Sequence, residues 1–167
     1  MPRISVPIRY VPRTLKRNDQ KTQIKMIMKS RKAYQKGKYV TRKTVPSFKN
    51  RPSSHVTHAR RLYGVESILP SSHVLSKNSG CSIDAMKQIV RKGEGAYFSS
   101  GSRPNQTAKS WGIARLAASL TGSKSAAIDY YILESGCDPK KPAIRLAKQS
   151  RKRFGKLHAK RRTISIK

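Results

Sequence analysis

Acidic residues are what this chain most lacks. Seven Asp and Glu stand against 38 Lys and Arg, a formal charge of +31 over 167 residues. Such a surface cannot neutralise itself by ion pairs, and its self-repulsion opposes compaction. An anionic partner is implied: nucleic acid, an anionic membrane face or acidic proteins. Aromatic residues are also few and scattered, which disfavours a stacking surface for single strands. The two cysteines, Cys81 and Cys137, have no CxxC spacing. Isolated in this way they suggest no disulfide framework and a reducing compartment. No apolar run of about 18 residues occurs, so no transmembrane helix is expected. The opening MPRISVP lacks the apolar segment of a signal peptide. No internal repeat, paired carboxylates or nucleophile–base spacing stands out. The chain is therefore expected not to be an enzyme and to need no cofactor or metal.

What is present is unevenly placed. Residues 1–65 hold 18 bases and a single acid, Asp19. Residues 81–138 are close to balanced, with seven bases and five acids, and residues 139–167 hold twelve bases and no acid. The expected organisation is an extended N-terminal arm (1–17), a basic helical and extended segment (18–65), a near-neutral helical core (66–138), and a basic C-terminal helix and tail (139–167). The fold class is mainly α: a small core of short helices with at most a short hairpin, flanked by extended basic arms.

Proline recurs at positions 2, 7 and 12, and each favours extended geometry before it. An extended arm or a disordered basic tail fits equally. Residues 18–36 read as a helix capped by Asn18 or Asp19 and ended by Gly37, with Ile24, Ile27, Met28 and Tyr34 roughly on one face. Lys21, Lys25, Lys29 and Lys32 line another face. Residues 38–52 look extended, anchored by Tyr39, Val45 and Phe48. A short helix follows over 54–63. Its His55 and His58 are one turn apart, with no Cys or carboxylate near to complete a metal site.

The segment 70–92 reads as two helices around Gly80, the second capped by Ser82. Leu75, Cys81, Met86 and Ile89 fit the inward positions of a helix-turn-helix, and Asp84, Lys87, Gln88 and Arg91 would face outward. An ordinary αα-corner has the same hydrophobic needs. Next, GEGAYFSSGSRPNQTAKSW runs from Gly93 to Trp111. Gly93, Gly95 and Gly101 mark a loop in this reading, with AYFSS as a short strand. Pro104 and Asn105 turn the chain, and Thr107 caps a helix to about Leu120. The stretch matches neither a P-loop nor GxGxxG, and its serines have no His nearby as base. Arg103 is expected to brace the loop against Glu94 or Asp129. A further helix, AAIDYYILE, would put Ala127, Ile128, Tyr131 and Ile132 inward. Asp138 and Pro139 read as a cap and a first-turn proline, Pro142 limits how early a regular helix begins, and residues 143–153 form the basic helix.

The segments SGSRPNQTA, SWG.ARLA and D..ILE.GC, with the earlier GCS.DA...IV.KG and MKSRKAY.KGKY, resemble an uncharacterised family of small basic proteins of large nucleocytoplasmic DNA viruses, including viruses of algae. That resemblance spans about residues 20–150. It implies a virion structural protein, a minor capsid or cement component that links capsid subunits through its basic arms. The implied partners are the major capsid protein, other minor capsid proteins and an anionic inner membrane. Nucleic acid is the alternative, met by the helix pair or by a packaging polycation. The expected partner-binding residues are Arg3, Arg9, Arg13, Lys21, Lys25, Lys29, Lys32, Arg151, Lys152, Arg153, Arg161 and Arg162, while a DNA reader would need Lys87, Gln88 and Arg91 exposed on one face. The structural motif comprises Gly93, Gly95, Gly101, Arg103, Pro104, Asn105, Thr107 and Trp111.

Overall fold

The computed structural model describes residues 4–155 and 163–166. The fold is mainly α, with eight helices and one two-stranded ribbon among those residues. The chain divides into two compact units. Unit 1 comprises Met1–Arg51, Gly95–Ala108 and Ala159–Lys167; unit 2 comprises Pro52–Glu94 and Lys109–His158.

Unit 1 is built around α1 (Arg17–Tyr34). Strand β1 (Ile4–Pro7) pairs antiparallel with β2 (Thr163–Ile166), Val6 opposite Ile164. The N-terminal residues expected as an extended arm are thus folded in. Val6, Tyr10, Val11 and Leu15 are buried, because their apolar side chains find cover within the chain. Helix α1 begins at Arg17, without a side-chain cap from Asn18 or Asp19. Asp19 instead accepts a hydrogen bond from the Ser47 backbone N–H at 2.9 Å. The helix ends in a Schellman turn: Lys38 N–H donates to Ala33 O and Gly37 N–H to Tyr34 O, with Gly37 at φ +70°. In the segment after it Val45 is buried, while Tyr39, expected as an anchor, is exposed.

Unit 2 holds α2 (Ser54–Tyr63), α3 (His73–Ser79), most of α5 (Ala108–Leu120), α6 (Lys124–Ile128), α7 (Tyr130–Gly136) and α8 (Pro142–Phe154). Helix α4 (Ile83–Ser99) contributes residues to both units. Ser53, Ser72 and Ser82 accept N-terminal N–H groups of α2, α3 and α4. The core gathers Tyr63, Leu75, Met86, Ile89, Leu116, Leu120, Leu133 and Ile144. At one end of this core Cys81 and Cys137 form a disulfide. The expectation of unpaired cysteines is therefore corrected: 56 residues apart in sequence, they face each other across a two-residue bridge whose hydrogen bonds run from Ser82 N–H to Gly136 O and from Asp138 N–H to Gly80 O.

Two further readings change. Gly93 and Gly95 lie inside α4, not in a loop, and AYFSS is helical to Ser99. Gly93 is there for packing: a Cβ on it would sit 2.6 Å from Gly112 Cα, and one on Gly112 would sit 2.7 Å from Val90 O. Glycine at both positions lets α4 and α5 cross with backbones in contact. The expected single helix after Gly122 breaks at Asp129 into α6 and α7. That break shifts the phase, so Asp129, Tyr130, Ile132 and Leu133 are buried while Ile128 and Tyr131 are exposed. Helix α8 begins at Pro142, one residue before the expected start at 143, with that proline in its first turn.

Candidate polyanion-binding surface

Helix α1 has two faces of opposite character. Gln23, Ile27 and Ser30 are buried, while Arg17, Lys21, Lys25, Lys29 and Lys32 are all exposed. Steps of three or four residues keep these cations on one stripe, about 6 Å apart for each four-residue step and about 22 Å from end to end. The buried side is unusually polar, and its hydrogen bonds show why. Gln23 donates to Tyr10 O and Ser102 O. Ser30 donates to Phe98 O and Val40 O.

The SGSRPN segment holds unit 1 together. Asn105, at φ +60°, accepts from Val45 N–H at 2.7 Å and donates to Val45 O and Phe48 O. A side-chain amide thus takes the place of a pairing strand along the 45–48 backbone. Gly101 sits at φ +120° against Tyr10 and Ile27, where any Cβ would crowd both. Pro104 is buried, Trp111 is half-buried, and Thr107 is exposed just before α5. Arg103, expected to brace against Glu94 or Asp129, is exposed, and the Asp129 carboxylate is taken by Arg115 and Lys92.

One arginine of unit 1 is turned inward. Arg42 donates to Ser30 Oγ, Tyr97 O and Ser102 Oγ, and its guanidinium lies 3.7 Å from the Tyr97 ring centroid. Burial lowers its pKa from the usual arginine value, and the Tyr97 phenol counters part of that. Arg31 is half-buried and donates to Ser100 O and Ser5 O. The unit's single acid, Asp19, is held below the usual carboxylate range by its hydrogen bonds from Ser47. The exposed cations of the α1 stripe thus have no acid of unit 1 beyond Asp19 to pair with.

Unit 2 contains the one ion-pair network found among the described residues. The fully buried Asp129 accepts from Arg115 at 2.9 and 2.7 Å, from Lys92 at 3.0 Å and from Ser119 at 2.9 Å. Burial pushes its carboxyl up, but the Arg115 guanidinium and then Lys92 outweigh this and hold it below its usual range. Burial pulls the Lys92 ammonium down, yet its bonds to Tyr131 and Asp129 leave it raised. This network ties α4 and α5 to the α6–α7 junction.

Elsewhere on unit 2, Leu75, Cys81, Met86 and Ile89 are buried, and Asp84, Lys87, Gln88 and Arg91 are exposed along one face of α4. Arg151, Lys152 and Arg153 are exposed on α8, with Arg151 stacked 4.4 Å over the Tyr130 ring. Arg9 and Arg13 are exposed in unit 1. Arg3, Arg161 and Arg162 lie outside the described residues.

Among the described residues no three or more His, Cys, Asp or Glu gather where they could hold a metal ion. No described helix is long and apolar enough to cross a membrane. One open depression of about 470 Å³ lies over Lys16, Arg17, Asn18 and Asp19 with Pro46 and Ser47.

Sequence reasoning missed two groups. Arg42 and Ser102 are a buried pair separated by 60 residues. Tyr34, Tyr39 and Phe98 form a ring cluster, with centroids 6.0 Å apart for Tyr34–Tyr39 and 5.1 Å for Tyr39–Phe98. The MKSRKAY.KGKY and SGSRPN blocks hold Tyr34, Tyr39 and Ser102, while Arg42 and Phe98 lie outside both.

These features define a mainly α, cation-displaying protein held together by buried polar contacts. The chain belongs to a family of unknown function (DUF5824), whose model matches residues 7–142. No curated protein and no solved structure matches it.

Proposed function

We propose that this chain is a non-enzymatic virion structural protein, a minor capsid or cement component that docks on polyanionic partners. The observation that carries the reading is the division of labour in unit 1. Its one acid and its buried arginine are consumed internally, while the lysines of α1 stand free in a regular stripe. A scaffold arranged in this way presents charge and does not perform chemistry. Each such cation near an anionic surface contributes about 1 kcal/mol, so a row of them gives firm but salt-sensitive docking. The virion assignment rests on the resemblance carried by SGSRPNQTA and SWG.ARLA. The test is incorporation: with Lys21, Lys25, Lys29 and Lys32 changed to Glu, the folded variant should be lost from particles. Normal incorporation of that variant would end the proposal.

A second reading has its own observation. Asp84, Lys87, Gln88 and Arg91 are exposed on one face of the second helix of a helix–turn–helix pair, as groove reading requires. Lys87→Ala with Arg91→Ala should then weaken duplex binding about tenfold or more; unchanged duplex affinity rejects it.

A further inference from the structure

We propose that Tyr39, with Tyr34 and Phe98 beside it, is a stacking platform for single-stranded nucleic acid. This goes beyond the capsid reading and stands or falls separately from it.

The rings come from three places in the sequence. Tyr34 ends α1, the Gly37 turn brings Tyr39 back over it, and Phe98 projects from the last turn of α4. The contacts are edge-to-face, with interplanar angles of 69° for both Tyr34–Tyr39 and Tyr39–Phe98. Phe98 in turn meets the fully buried Tyr97 at 5.0 Å, and Tyr97 carries the Arg42 guanidinium. Tyr39 is therefore mounted on a supported stack that ends in the core. Its own side chain is 69% exposed. Its two edge-to-face contacts hold the ring in place while most of its surface stays open to a ligand.

The surroundings identify the partner. Lys32, Lys36 and Lys38 are exposed beside the rings along the chain. The only acid of unit 1, Asp19, is bonded to Ser47. A rigid aromatic ring among lysines fits a ligand that alternates π-faces with phosphates. In a duplex the base faces are already stacked on each other, so an open ring favours unpaired bases.

Binding of the full chain to an oligo(dT) of about 16 nucleotides and to a duplex of equal length should be measured by fluorescence anisotropy across a salt series. Circular dichroism should confirm that each variant is folded. Tyr39→Ala is expected to weaken oligo(dT) binding roughly 5- to 100-fold while leaving duplex binding and the salt slope unchanged. Tyr39→Phe should bind like the parent chain. Tyr39→Leu, which keeps apolar area but not the ring, should fail like Tyr39→Ala. Lys36→Ala with Lys38→Ala should lower the salt slope on both ligands. The proposal is overturned if Tyr39→Ala leaves oligo(dT) affinity intact or weakens both ligands equally. It is also overturned if Tyr39→Leu binds normally, or if Tyr39 matters only for anionic lipid vesicles.

Discussion

Arg42 lies flat over Tyr97, its guanidinium 3.7 Å from the ring centroid, and donates to the carbonyl of the same residue at 2.8 Å. That relationship joins the segment after α1 to the last turns of α4. It also fixes Ser30 and Ser102 on either side. Removing the side chain strands buried acceptors and empties the space beneath Tyr97. Arg42→Ala should cost about 3 kcal/mol in urea denaturation. Arg42→Lys should recover less than half, because an ammonium can neither fork nor stack. Full rescue by lysine would show that charge alone matters there.

Asn105 tests the turn. Its φ of +60° and its three hydrogen bonds act together. Asn105→Ala loses both and should cost about 2–3 kcal/mol. Asn105→Gly keeps the backbone relaxed and loses only the bonds, so it should be the milder change. Equal losses would mean that the left-handed geometry contributes nothing.

Two glycines of α4 should respond in opposite ways. Gly93→Ala meets Gly112 Cα at 2.6 Å and should destabilise by about 2 kcal/mol or more, since backbone must move. Gly95→Ala meets nothing closer than the Tyr34 hydroxyl at 4.0 Å and should stabilise by about 0.5–1 kcal/mol. Thermal melts of the pair decide whether α4 and α5 touch as described.

Asp129 sets the acid limit of unit 2. Its folded-state pKa lies below the unfolded value, so its contribution is complete above the ordinary carboxylate range and fades as pH falls through the lower, folded value. Lys92 is raised, so its contribution is complete below the ordinary lysine value and is lost as pH rises through the higher, folded value. The contribution of this network to stability should be flat between these limits. Asp129→Asn should lower that plateau, because Arg115 and Lys92 lose their counter-charge, and should flatten the acid limb. An unaltered acid limb would assign acid sensitivity to other carboxyls.

The Cys81–Cys137 bridge closes a loop 56 residues apart in sequence. By chain entropy it should contribute about 4 kcal/mol. Reduction, or replacement of both cysteines by Ser, should lower the unfolding midpoint accordingly. No change on reduction would show that the two short segments are held by their backbone bonds alone.

The local signals of this sequence were readable because they depend on neighbours. Ser53, Ser72 and Ser82 announce helix starts, Gly64 and Gly80 announce ends, and lysines at helical spacing mark the outer face of α1. What stayed hidden depends on distant partners. Gly93 reads as a loop residue until Gly112 is seen against it. Cys81 and Cys137 carry no spacing motif, and only the bridge that places them opposite each other reveals the bond. The phase of α6 and α7 is lost at Asp129, whose burial follows from Arg115 and Lys92 rather than from periodicity. The aromatic residues look scattered because Tyr39 and Phe98 meet only in space.

The most direct test of the proposed role is a cross-linking census by mass spectrometry on intact, purified virions, read at Lys21, Lys25, Lys29 and Lys32. The account predicts links from these lysines to acidic segments of neighbouring capsid subunits. Absence of the protein from the particles, or free lysines with no shell neighbour, would contradict it.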